Sequence, residues 1–201
     1  MTAGNRRPLP WLNPALVAGG LAPLATTLYR AASGGLGANP IEEALNALGL
    51  TALILLVASL ACTPLRTLTS WTWPARARRT LGLLAFLYAA LHVTTYAVLD
   101  QGLDLAAIWE DVSERRFILA GFSAFVLLVP LALTSTRQSV RRLGYVAWSR
   151  LHALVYPAAI LASVHFIWRV KRDLREPLIY AAVLAGLLLI RVAVAAAKRN
   201  R

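Results

Sequence analysis

LHALVYPAAILASVHFIWRV, residues 151–170, decides how this chain folds. From 151 to 168 it holds no charged side chain, yet it carries two histidines, His152 and His165. A bilayer crossing needs about 17–25 predominantly apolar residues, and this run supplies them. Its apolar residues are continuous and do not alternate, so it reads as a helix and not as a barrel strand. Histidine at membrane depth is costly and normally faces a partner inside the bundle.

Five further runs resemble it, at 11–29, 44–61, 81–99, 117–133 and 177–197. The composition agrees, with 58% hydrophobic and only 15% charged residues among 201. Little is left for a soluble domain. The expectation is an all-α, polytopic membrane protein, a six-transmembrane-helix bundle forming one domain over residues 1–201. Only the last run has a charge in its interior, Arg191, close enough to the helix end to snorkel.

The net charge of +12 would suit nucleic acid, but the basic residues cluster between runs, as the positive-inside rule produces. The 62–80 loop carries Arg66, Arg76, Arg78 and Arg79; the 134–150 loop carries Arg137, Arg141, Arg142 and Arg150. Arg6 and Arg7 precede the first run, and Lys198, Arg199 and Arg201 follow the last. The connection after the third run is acidic, with Asp100, Asp104, Glu110, Asp111 and Glu114. Six crossings then place both termini and both basic loops on the cytoplasmic side of the membrane, in contact with lipid and not with nucleic acid. The fifth connection violates the pattern, because Arg169, Lys171, Arg172 and Arg175 fall outside. Either the other basic ends outvote it, or it docks an acidic partner or holds cofactor carboxylates.

Cys62 is the single cysteine and reads as a small packing residue. The N-terminus has the look of a signal sequence, ending in Ala31-Ala32-Ser33; its removal would reverse the parity, so it reads as retained. The GGLGANP stretch at 34–40 is a turn-rich outer loop, and no internal repeat is visible.

The third histidine is His92, in LYAALHVTTYAVL. It lies 92 − 81 = 11 residues into its run, about 16 Å deep. His165 lies 165 − 151 = 14 residues into a run of the same direction, about 21 Å deep. Two imidazoles at one level on two helices are what a six-coordinate haem between them requires. His152 is 165 − 152 = 13 residues earlier, about 20 Å nearer the cytoplasm, and would serve a second, inner site. Thirteen residues of straight helix turn the two histidines to different faces, unless Pro157 kinks the helix between them. The inner site's counterpart on the third run would be Arg79 or Arg78. Arginine does not ligate iron but suits bidentate recognition of phosphate or carboxylate. That argues against a bis-histidine inner haem and leaves room for an anionic cofactor such as flavin mononucleotide (FMN). Taken alone, Arg76, Arg78 and Arg79 read first as topological charge. Tyr88, Tyr96, Tyr156, Trp148 and Trp168 read as packing or interface residues.

GGLGANP (34–40), RARRTLGL (76–83), LHVTTYAVL (91–99), LALTSTR (131–137), LHALVYPAAILASVHFIWRVK (151–171) and EPLIYA (176–181) together resemble the MsrQ family. These are haem-bearing membrane subunits of bacterial methionine sulfoxide reductase systems, within the ferric reductase and NADPH oxidase transmembrane group. The resemblance covers nearly the whole chain. It implies a non-catalytic redox subunit, taking electrons from quinone or a cytoplasmic flavin reductase. They would pass to MsrP, a periplasmic molybdopterin partner in a heterodimer, which reduces oxidised methionine in proteins. It implies b-type haem held by His92 and His165, with His152 near an inner site where FMN replaces the oxidase group's inner haem. The chain departs from the oxidase pattern in lacking a fourth histidine and an NADPH-binding domain, which argues against direct use of NADPH. The rival reading is a stand-alone transmembrane ferric or oxygen reductase. A transporter or assembly factor would show discontinuous helices and paired buried charges, which this sequence does not.

Overall fold

A computed structural model describes residues 9–199, with side chains to 197. Arg6, Arg7 and Arg201, and the side chains of Lys198 and Arg199, lie outside the described set. Among the described residues the chain is entirely helical. The helices are α1 (Leu12–Ala32), α2 (Pro40–Thr69), α3 (Trp73–Thr95), α4 (Leu105–Glu114) and α5 (Arg116–Leu133). They continue with α6 (Arg137–Leu143), α7 (Tyr145–His152), α8 (Val155–Arg169) and α9 (Arg175–Arg199).

Local chemistry sets the ends of these helices. Asn39 caps α2 by accepting from the Glu42 amide at 3.3 Å, its own amide returning to the Glu42 carboxylate at 3.1 Å. Pro40 follows at the first helical position, where its missing N–H costs nothing. Asp104 caps α4 through the amides of Ala106 and Ala107. Beyond Thr95, α3 relaxes into a π turn over Tyr96–Asp100, a form concentrated at functional positions.

Five helical segments are long and apolar enough to cross a membrane: Pro40–Thr69, Trp73–Asp100, Arg116–Leu133, Tyr145–Arg169 and Arg175–Ala197. The expected sixth is not among them. α1 has the length, at 21 residues, but Asn13, Pro14, Gly19, Gly20, Pro23, Thr26 and Thr27 dilute its hydropathy. It packs on α2 and α3, and Tyr88 fastens it. The Tyr88 hydroxyl donates to the Gly20 carbonyl at 2.7 Å and accepts from the Leu24 amide at 2.9 Å, spanning one turn of α1.

The break between His152 and His165 does not lie at Pro157. The fifth crossing breaks between α7 and α8, at Ala153 and Leu154, directly after His152. Pro157 sits in the first turn of α8, where it removes no needed hydrogen bond.

The core joins α2, α3, α5, α8 and α9 through Leu56, Leu60, Ala85, Leu128, Ala158 and Leu184. Ala158 and Ala159 are fully buried, letting backbones approach as small residues do inside membranes. Outward-facing apolar side chains are abundant, with Leu189 69% and Val192 67% exposed; such a surface belongs against lipid. Because the crossings alternate, all nine acidic residues fall at one end of the bundle, where α2, α5 and α9 begin. This is the acidic end; the opposite, basic end has none.

Candidate functional site

His92 on α3 and His165 on α8 point into the same space. Their ring centroids are 6.1 Å apart with the planes at 82°. Each ring is held in the same way by a different neighbour. His92 Nδ1 is 2.9 Å from the Leu45 carbonyl on α2, and His165 Nδ1 is 2.7 Å from the Phe117 carbonyl on α5. A carbonyl only accepts, so Nδ1 carries the proton and Nε2 keeps its lone pair, the arrangement that orients a metal-ligating histidine.

One turn beyond each carbonyl lies a glycine under the ring. A Cβ at Gly49 would stand 3.1 Å from His92 Nδ1, and one at Gly121 only 2.6 Å from His165 Nδ1. The sequence reading missed both glycines. The signal was there, since each sits four residues past the accepting carbonyl, but that carbonyl is unknown until the helices are paired.

Both histidines line a cavity of about 550 Å³ enclosed by α2, α3, α5 and α8. Its walls are apolar, including Leu53, Phe125 and Leu128. Its outer mouth at the acidic end is polar, edged by Tyr96, Asp111, Arg115 and Arg169. Tyr96 donates to Asp111 at 2.9 Å, and Arg115 pairs with the same carboxylate at 2.9 Å. Of the basic residues in the anomalous fifth connection, Arg169 lines the cavity, beside Val170, Asp173 and Glu176, and it also pairs with Glu42 at 3.5 Å. Lys171, Arg172 and Arg175 are exposed.

Among the described residues there is no group of three or more His, Cys, Asp or Glu able to hold a metal. A metal between these imidazoles would therefore take its other ligands from outside the protein. Two imidazole nitrogens each about 2 Å from one ion put the ring centroids on the order of 6 Å apart. The spacing, the free Nε2 atoms and the apolar cavity fit a planar macrocycle ligated on both faces.

The residues expected at an inner site divide into two groups. His152 lies outside the cavity, stacked on Trp148 with centroids 4.1 Å apart and Nε2 3.0 Å from the Thr134 hydroxyl. Arg78 is half-buried and within electrostatic reach of His152, Cys62 and Arg191. Arg79 and Arg76 lie elsewhere, exposed in a groove between α1 and α3. The expected trio of arginines is thus split, because Arg78 is two residues from Arg76 and one from Arg79, spacings that never share a helix face.

Arg191 supplies what the trio lacks. It does not snorkel: Nη1 donates to the Tyr156 hydroxyl at 2.6 Å and Nη2 to the Leu60 carbonyl at 2.7 Å. Its Nε is buried and finds no acceptor among the described residues. Arg191 and Arg78 thus lie within electrostatic reach of each other, at an end of the bundle that holds no Asp or Glu, an arrangement suited to an anionic ligand.

Residues 47–163 match the family described as ferric reductase like transmembrane component. His92, His152 and Arg78 fall within the match, and His165 lies two positions beyond it. The chain is 53% identical over 189 residues to a protein of Deinococcus radiodurans named protein-methionine-sulfoxide reductase heme-binding subunit MsrQ, covering 93% of each chain. A protein of the same name from Rhodospirillum rubrum is 52% identical over 90% of this chain and 86% of its own. One from Brucella ovis is 50% identical over 93% and 84%.

Proposed function

This chain belongs to the MsrQ family of multi-pass, ferric reductase-like transmembrane components, and from that premise we propose that it is the haem-binding electron-transfer subunit of a methionine sulfoxide reductase system. It passes electrons from the cytoplasmic side or the quinone pool to a periplasmic molybdoenzyme of the MsrP type, which reduces methionine sulfoxide in proteins. His92 and His165 would hold a b-type haem, which when bound would supply one-electron chemistry between ferric and ferrous iron. The protein's own part is to present two neutral imidazoles of fixed tautomer, to exclude water with apolar walls, and to set Arg169 and Arg115 at the mouth for the macrocycle's carboxylates. The observation that carries this reading is the paired docking of the two rings through Nδ1 onto backbone carbonyls.

The topology that serves this role counts α1 as a sixth crossing, with both termini and the basic end in the cytoplasm. At that end Arg78 and Arg191, beside His152, are assigned to the phosphate of FMN. No Asp or Glu lies at that end, which supports the assignment. A cytoplasmic flavin reductase or quinone is the donor.

Haem is the test. His92→Ala and His165→Ala should each abolish the low-spin spectrum of the purified protein and lower its haem content. A six-coordinate spectrum and wild-type haem content in both variants would overturn the ligand pair.

A further inference from the structure

Arg76 and Arg79 are left without a role by the inner site, and their surroundings suggest one of their own. They stand at the basic end of a groove of about 550 Å³ between α1 and α3, whose floor is Val17, Leu83, Leu84 and Leu87. On α3 the groove residues run 76, 79, 80, 83, 84 and 87, one helical stripe. The two guanidinium groups lie toward the membrane surface and the leucines follow inward. Thr80 and Asn13, hydrogen-bonded at 3.4 Å, bridge the helices just below the arginines.

The groove opens sideways, since Leu87 is 38% and Val17 41% exposed, so what fills it comes from the bilayer. A soluble anion would match Arg79 and leave the apolar floor uncovered. A neutral lipid would cover the floor and leave the Arg79 charge unmatched. All nine acidic side chains lie at the opposite end of the bundle, so none of them stands opposite Arg79. We propose that this groove is a binding site for one anionic phospholipid, its headgroup phosphate on Arg79 and Arg76 and one acyl chain along Val17, Leu83, Leu84 and Leu87. Basic pockets between membrane helices recognise acidic headgroups by this combination of charge and apolar wall. The lipid would also fill the seam beside α1.

The experiment uses the haem-loaded full chain in nanodiscs of phosphatidylcholine with or without phosphatidylglycerol, read by native mass spectrometry for lipid retained after mild detergent extraction. Phosphatidylglycerol should be retained in preference, about fivefold less strongly for each arginine removed in Arg79→Gln and Arg76→Gln/Arg79→Gln. Arg137→Gln, on another basic loop, should change nothing. The haem spectrum gates every variant for folding, and Arg76→Lys/Arg79→Lys preserves charge should the glutamine pair not fold. Val17→Trp fills the floor without touching an arginine and should weaken retention as well. Equal retention of both lipids, an unchanged glutamine or tryptophan variant, or displacement of the lipid by inorganic phosphate or a neutral quinone would each overturn the proposal.

Discussion

Glycine inside a helix costs about 0.5–1 kcal/mol relative to alanine, so Gly121→Ala would ordinarily stabilise α5. Here the added methyl meets the His165 ring at 2.6 Å, and overpacking of that kind costs about 1–3 kcal/mol. Gly121→Ala should therefore lower the melting temperature and displace His165, with loss of haem per protein. Gly49→Ala meets His92 at 3.1 Å and should show the same defects in weaker form. Gly186→Ala, with nothing within 4 Å, should stabilise slightly and leave haem alone. Equal melting shifts in all three would remove the glycines from the site. At the inner site the split of the arginines predicts that Arg78→Ala lowers FMN content while Arg79→Ala does not, both keeping the haem spectrum. FMN lost equally in both variants would restore the grouping first drawn from sequence.

Helices register a different set of forces, and here sequence and structure part company in instructive ways. Five crossings were legible because each is continuously apolar for a bilayer's width. α1 falls short because its prolines, glycines and polar residues are tolerated only by packing on α2 and α3, which hydropathy does not see. The π turn after Thr95 and the break after His152 were not legible, since neither needs a glycine or proline at the point of departure. Arg191 was misread for a related reason: depth along a helix is countable, but whether a long side chain runs outward or inward depends on its neighbours. Tyr88 shows how α1 is retained. Tyr88→Phe removes a hydroxyl engaged with Gly20 and Leu24, although those two can partly re-pair along the helix. A loss of about 1 kcal/mol is expected, seen as faster hydrogen exchange over residues 12–32 with haem content unchanged. Unaltered exchange in α1 would mean that the hydroxyl holds nothing.

Across the whole molecule the charge is sorted, with every Asp and Glu at one end and the loops 62–80 and 134–150 at the other. Reporter fusions after Arg201 and within 134–150 should read cytoplasmic, and fusions within 100–115 periplasmic. A periplasmic C-terminus would invert the proposed direction of electron flow. That His92 and His165 share one level was legible because helical rise converts residue number into depth, and their rings stand 6.1 Å apart. What depth could not convey was which helix backs each ring. Those backings lie 47 and 48 residues before their histidines, so the two halves of the site are built alike with no repeat in their letters. Main-chain carbonyls grip both rings, and a carbonyl is present whatever amino acid occupies positions 45 and 117. The grip itself would persist through substitution there, although Leu45 and Phe117 also line the cavity, and on the backing helices it is the glycines one turn on that the rings constrain. A search for ligand-orienting side chains would pass over this site, since its signature is the absence of a side chain.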